Sequence, residues 1–429
     1  MDWFGRAKIA FFHAPSPLTL QKKDGTTTDL LKMAEKSTPS CQLNPFLFNG
    51  DLQTMWTAVA KNAPPIHYRR KIFEAEDQAY RGTFAVDFVV DTHDDVDESL
   101  PPRTAYFPED ALAQIGSDDS KPMLIVLHGL SGGSHEVYLR HAIEPLVTNG
   151  GGWEALVVNA RGCANSKVTS GIFFNARATW DLRQVVKWAR ETFPNRPLFG
   201  LGFSLGANIL TNYVGEEGLD CPLKAAISVG NPFNLDISNS ALKRGFLGKQ
   251  VYQRVMGSNM KRFINDHKEQ IKLYTTLDLA EIQRVTYLYE LDRAVQTKIW
   301  GYPTEGAYYR DSSSADAVLG IKIPFLAIAA LDDPIAVEEA IPYGELMINP
   351  NTVLLTTSLG GHLSWFEFGG GRWHARPICN FLRNMVSDIN LDAIKPEANV
   401  NEKDNQSTTH RFPLSHFNPA ARKLHTRPE

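Results

Sequence analysis

Leu198-Phe-Gly-Leu-Gly-Phe-Ser-Leu-Gly-Ala-Asn-Ile-Leu210 is the stretch whose reading decides the fold. Residues 198–201 are an apolar, strand-like run, and the uncharged run from Ala207 to Val214 suits a helix. Gly202-Phe203-Ser204-Leu205-Gly206 joins them and fits G-x-S-x-G. In that pentapeptide the serine occupies a sharp strand-to-helix turn in a strained backbone conformation. Only glycine-sized neighbours let strand and helix approach while the hydroxyl projects freely. The pentapeptide recurs by chance in many chains, so its meaning comes from the strand before it and the helix after it.

The same strand-then-helix pattern extends in both directions. Met123-Leu-Ile-Val-Leu127, Trp153-Glu-Ala-Leu-Val-Val158, Ala225-Ala-Ile-Ser-Val229, Pro324-Phe-Leu-Ala-Ile-Ala-Ala330 and Thr352-Val-Leu-Leu-Thr356 are short apolar runs. Strands of a parallel sheet buried on both faces read this way. Between 179 and 193, Leu182, Val185, Val186, Ala189 and Phe193 recur at the helical period. The pattern predicts an α/β fold with a mostly parallel central sheet and helices on both faces. Residues 235–323 are mainly helical and amphipathic and too long for an ordinary connection. They predict a helical cap inserted over the strand ends, where open α/β sheets bind ligands.

Residues 1–63 mix turn formers with apolar clusters and are expected to form an extension packed on the core. Pro64-Pro65 marks a break before a strand-like run over 66–73, and Thr83-Phe-Ala-Val-Asp-Phe-Val-Val90 reads as another strand. The acidic, proline-containing stretch 91–121 reads as a loop, with the core proper beginning at Pro122. The domain is expected to span 64–389 and to close with a helix over 374–389. The polar segment 390–429 is expected to be a disordered tail.

A chain of 429 residues with 43% hydrophobic content can bury one large core without dividing into several domains. Its net charge of −4 arises from 44 basic and 48 acidic residues that are interspersed, so no nucleic-acid partner is expected. Cys41, Cys163, Cys221 and Cys379 are widely spaced and form no C-x-x-C pair, which argues against structural zinc or a disulfide framework. No metal or cofactor is expected, and a reducing, intracellular location is. The first 13 residues hold too short an apolar run for a signal peptide or a membrane span. Trp3, Phe4, Ile9, Phe11 and Phe12 are candidates to dip into a membrane or lipid-droplet surface, although packing on the domain is the favoured reading.

A serine hydroxyl needs a base within hydrogen-bond reach and a third group to orient that base. Asp332-Asp333-Pro334 follows the run ending at Ala330, and His362 follows the last strand. This gives the chain order Ser, Asp, His that G-x-S-x-G sheets use. His128 belongs to a His-Gly turn, His267 to the cap and His374 to a helix, and neither His135 nor His141 follows the final strand. Asp333 is preferred as the acid because a small residue, Ala330, stands three positions before it and Pro334 directly after it. Asp332 is then expected to cap a helix beginning near Ile335. The oxyanion of a tetrahedral intermediate would take the backbone N–H of Leu205 and, from the loop opened by His128-Gly129, that of Leu130. Arg161 is expected to tie loops together through its forked donors.

Six stretches taken together carry a family resemblance. They are Phe48-Asn-Gly-Asp-Leu-Gln-Thr54, His128-Gly-Leu-Ser-Gly-Gly-Ser-His-Glu-Val-Tyr-Leu-Arg140, Val158-Asn-Ala-Arg-Gly-Cys163, Gly202-Phe-Ser-Leu-Gly-Ala-Asn208, Asp332-Asp-Pro334 and Gly360-Gly-His362. The chain resembles the YheT-like branch of the α/β-hydrolase superfamily, which includes the fungal medium-chain fatty-acid ethyl ester synthase/esterases. The resemblance implies a capped fold and a serine esterase acting on medium-chain acyl esters, with acyl-CoA and an alcohol as partners in the fungal members. An H-x-x-x-x-D acyltransferase motif found in part of the superfamily is absent, since Glu367 stands at that position from His362. The competing expectations are a monoacylglycerol-type lipase, a plain carboxylesterase and a catalytically silent binding protein of the same fold. A fluorophosphonate label on Ser204 would exclude the last.

Overall fold

A computed structural model of the chain describes residues 3–112, 114–148 and 151–394. Ten strands form the central sheet: β1 (Ile9–His13), β2 (His67–Glu74), β3 (Thr83–Val90), β4 (Thr104–Tyr106), β5 (Met123–Leu127), β6 (Glu154–Val158), β7 (Leu198–Phe203), β8 (Ala225–Val229), β9 (Phe325–Ala330) and β10 (Thr352–Thr357). Across the sheet they run β1-β10-β9-β8-β7-β5-β6-β3-β2-β4. From β10 to β6 every pairing is parallel, whereas β1 joins β10, and β3 joins β6 and β2, antiparallel.

Successive side chains of a strand leave opposite faces, and the apolar runs feed two separate cores accordingly. Leu124 and Val126 of β5 pack with α1 (Leu30–Ser37), α3 (Val137–Val147) and α14 (Ala375–Asp388). Met123, Ile125 and Leu127 of the same strand pack with α4 (Thr179–Thr192), α5 (Leu205–Glu217) and α13 (Tyr343–Ile348). Burial on both faces is why these strands carry no polar alternation.

The N-terminal segment differs from its expectation as a mere wrapping. Phe11 pairs with Leu355 and Phe12 with Leu354, so β1 is an outer strand of the sheet itself. Ile9, Phe11 and Phe12, candidates for a membrane interface, pack against the two cores, whereas Phe4 is exposed. The stretch expected as a loop before Pro122 contains β4, which pairs with β2. The sheet thus begins well before Pro122. Among the described residues no helix is long and apolar enough to cross a membrane. The expected tail lies, from residue 395 onward, outside the described residues.

Between β8 and β9 lie seven helices: α6 (Leu235–Arg244), α7 (Gln253–Asp266), α8 (Lys268–Tyr274), α9 (Leu279–Arg284), α10 (Leu288–Ala294), α11 (Gln296–Trp300) and α12 (Glu305–Ser312). Phe263, Ile264, Ile271, Ile282 and Leu291 form a core with Val168, Phe173 and Phe174 of the loop after β6, which seats this layer above the sheet. Tyr252 is buried and donates from its hydroxyl to Asp51 Oδ1 at 2.6 Å, which links the layer to α2 (Gly50–Trp56).

Candidate active site

The parallel register aligns the carboxyl ends of the central strands. Leu127 lies opposite Val158 and Gly202, Phe203 opposite Val229, and Ala330 opposite Thr357. The segments that follow these ends carry the chemistry. Ser204 follows β7 directly with φ 51° and ψ −115°, a backbone conformation L-residues avoid, and its N–H is held by the Val229 carbonyl at 2.9 Å. Gly206 permits the turn, since a Cβ there would lie 2.5 Å from the His128 carbonyl oxygen. The hydroxyl of Ser204 consequently stands at the start of α5, above the sheet.

His362 Nε2 lies 2.8 Å from Ser204 Oγ, and its Nδ1 lies 2.8 Å from Asp333 Oδ2. A carboxylate can only accept, so Nδ1 carries the proton and Nε2 accepts from the serine hydroxyl. The Asp333 side chain is 1% exposed and that of His362 11%. Their interaction is therefore shielded from water.

Asp333 also accepts from the Ile335 and Ala336 N–H groups at 2.8 and 2.9 Å, which fixes its carboxylate plane. Asp333 thus holds the cap position expected of Asp332 as well as facing His362. Asp332 does not cap the following turn; its Oδ1 reaches across to the Gly361 N–H at 3.0 Å and braces the histidine loop. The adjacent cap position went to Asp333 because one carboxylate has lone pairs enough to serve the turn with one oxygen and His362 with the other.

Two supports were not evident from the sequence. Thr54 Oγ1 accepts the His362 N–H at 2.9 Å, and Gln53 Oε1 accepts the Phe366 N–H at 2.8 Å, so α2 buttresses both sides of the histidine loop. Gly50 begins that helix where a Cβ would overlap the Asp332 carbonyl oxygen. The second support holds the loop after β5. His128 donates through Nδ1 to the Gly129 carbonyl at 2.7 Å and accepts the Ala160 N–H through Nε2 at 3.0 Å, and burial holds its pKa down at about 4. Tyr138 Oη takes the Gly129 N–H at 2.8 Å. Beyond it, Asp87 accepts both Arg70 Nε and Nη2 (2.6 and 2.8 Å), Ser134 Oγ (2.6 Å) and Asn159 Nδ2 (2.8 Å), all buried. Arg161, expected to tie loops together, makes a two-point pair with Asp181 at 2.8 and 2.7 Å and reaches the Arg81 carbonyl.

Leu130, Ser204 and Leu205 line one cleft beneath the helical layer. Met256 and Met260 of the cap face it, together with Leu235, Leu242 and Leu288. Phe246 and Val255 point to solvent, and Phe263 packs on the loop after β6. Cys41, Cys163, Cys221 and Cys379 are buried free thiols away from this cleft's lining.

Burial pushes the Asp332 carboxyl up to about 6, with the Asp333 charge adding to the effect and the Gly361 N–H opposing it. Its folded pKa thus exceeds the unfolded value near 4. The group favours the fold while protonated, and this contribution is lost as pH rises from about 4 through 6. Asp332→Asn keeps the acceptor for Gly361 without the charge. Its stability relative to wild type should rise by about 2 kcal/mol between pH 4 and pH 7. Denaturant titrations across that range will check this, and a difference independent of pH would refute it.

A parallel sheet with a serine at such a turn and a histidine and aspartate on the neighbouring strand ends defines an α/β hydrolase. The chain belongs to that family: the sequence model described as alpha/beta hydrolase fold matches residues 122–368. It is 35% identical to a monoacylglycerol lipase of Saccharomyces cerevisiae over 86% of each chain. It is 28% identical to medium-chain fatty acid ethyl ester synthase/esterase 2 of the same yeast, over 84% of this chain and 90% of that one. Among solved structures it is similar to an esterase of Pyrococcus furiosus, with 17% identity, a TM-score of 0.42 and coverage of 70% and 84%.

Proposed function

We propose that this chain is an ester hydrolase that cleaves medium-chain acyl esters through an acyl-enzyme on Ser204. The observation that carries the reading is the row in which Asp333 Oδ2 lies 2.8 Å from His362 Nδ1 and His362 Nε2 lies 2.8 Å from Ser204 Oγ, beside a cleft lined largely by apolar side chains. The yeast relatives named as a lipase and as an ester synthase/esterase support the class of reaction.

In this reading Ser204 Oγ attacks the ester carbonyl while its proton passes to His362 Nε2. Asp333 stabilises the imidazolium and keeps its orientation. The developing oxyanion takes the N–H groups of Leu130 and Leu205; Gly129 offers none, its N–H being held by Tyr138. The imidazolium returns the proton to the departing alcohol, leaving the acyl group on Ser204. Water, activated by the same histidine, releases the acid. An alcohol in place of water gives a new ester, so transfer from an acyl ester or acyl-CoA needs no further residue.

Each methylene buried between Met256, Met260 and the leucines contributes about 0.8 kcal/mol, so affinity rises with acyl length until the cleft is full. Rates on p-nitrophenyl esters should therefore peak at medium chain length, and added ethanol should divert part of the product into ethyl ester. A flat profile or a maximum at acetyl would refute the acyl pocket. Failure of ethanol to compete with water at any concentration would refute the transfer.

A further inference from the structure

The loop that carries His362 is built on unfavourable backbone. Leu363 and Trp365 have φ 55° and 40°, in the left-handed region that residues other than glycine avoid. The Leu363 side chain and the His362 ring close on the same spot beyond β8. A Cβ on Gly230 would lie 2.8 Å from Leu363 Cδ2 and 3.7 Å from His362 Nδ1 and Cε1. A turn of the Leu363 peptide out of its strained conformation therefore moves the imidazole with it.

One cation grips that peptide. The chain leaves the loop at Phe366, reverses over 367–371 and returns at Arg372, which bridges back to Phe366. Arg372 Nη1 donates to the Leu363 carbonyl at 2.5 Å and, more weakly, to that of Ser364 at 3.4 Å. Its guanidinium lies over the Phe366 ring, 4.3 Å from the centroid. Arg372 is 2% exposed, and among the described residues no carboxylate pairs with it. Its Nε and Nη2 are buried without a partner. Burial draws its pKa down to about 10, which leaves it charged at neutral pH. A cation placed in this way is costly to the fold, and an aliphatic side chain of similar volume would fill the site without that cost.

We propose that Arg372 is a positioning residue for the reaction: by gripping the Leu363 and Ser364 carbonyls it holds the strained loop, and with it the His362 imidazole, in line with Ser204. Thr54 and Gln53 secure N–H groups of this loop, whereas Arg372 secures its carbonyls. Arg372 is not part of the cleft lining, so it acts through His362 and not on the substrate. The role rests on His362 being the base for Ser204.

Arg372→Met roughly keeps the volume and removes the charge and the donors. On p-nitrophenyl octanoate its kcat should fall about 10- to 100-fold, the scale of a displaced catalytic group. KM should stay within about twofold, because the cleft wall is untouched. The rate of fluorophosphonate labelling of Ser204, which needs the same histidine, should fall in parallel. Arg372→Lys keeps a cation but loses the planar group that reaches both carbonyls, so its kcat should lie between those of wild type and Arg372→Met. A merely structural arginine would lower the melting temperature of the methionine variant and leave kcat per folded molecule unchanged. Should Arg372→Met not fold, Arg372→Lys decides by the same split between kcat and KM. A wild-type kcat in either folded variant, a raised KM in place of a lowered kcat, or a lysine variant no faster than the methionine variant overturns the role, and wild-type hydrolysis then leaves the function standing. A folded wild-type protein that neither hydrolyses the ester nor takes the label overturns the function and this role together.

Discussion

Ser204→Ala should fold as the wild type does and lose turnover by about 10³-fold or more, the loss seen when serine triads lose their nucleophile. The change removes one atom from a residue whose backbone geometry is imposed by the Val229 carbonyl and the close packing at Gly206. No core contact is lost, so unfolding midpoints should stay within a few degrees. Ser204→Gly should be equally inactive. It should be at least as stable as the alanine variant, because φ 51° with ψ −115° is open to glycine and strained for any side chain. A Ser204→Ala protein retaining more than about a tenth of its activity would remove the acyl-enzyme from consideration, since each triad position typically costs far more.

Asp333→Asn should lower kcat by about 10⁴-fold, as loss of the orienting carboxylate does in serine triads. An amide facing His362 Nδ1 can offer its NH2 group, which selects the tautomer with the proton on Nε2 and leaves nothing to accept from Ser204. Asp332→Asn should change kcat much less, because its Oδ1 serves only the Gly361 N–H and an asparagine oxygen serves it as well. Steady-state rates on equally folded proteins will rank them. The opposite ranking would reassign the orienting role to Asp332.

How much of this was legible in the chain followed from where each signal resides. Strands buried on both faces betray themselves as unbroken apolar runs, and β5 and β8 occupy the very residues those runs suggested. The serine turn was legible because its steric demands fall on sequence neighbours. Edge elements gave weaker signals. β1 reads Ile-Ala-Phe-Phe-His, short and without alternation, and its partner lies more than 300 residues away; β4 has three residues. The contribution of α2 was invisible as chemistry, since Thr54 acts on His362 through a backbone N–H that any residue would present. The two aspartates were separable only in part: local spacing favoured Asp333, but its double use, for the turn and for the histidine, depends on carboxylate orientation.

The pairing of β1 with β10 has a temporal meaning. Residues 9–13 leave the ribosome first among the strands of the central sheet, yet their partners, 353–357, belong to its last strand made. Through almost the whole of synthesis the first strand has nothing to pair with, and non-local contacts of this kind are slow to form. The serine turn, by contrast, has its β5 and β8 neighbours by residue 229. His362 follows β10 by only a few residues, so the segment that seals the sheet also delivers the base to the serine. Nascent chains would therefore carry a formed but unarmed nucleophile, becoming competent only as the sheet receives its final strand.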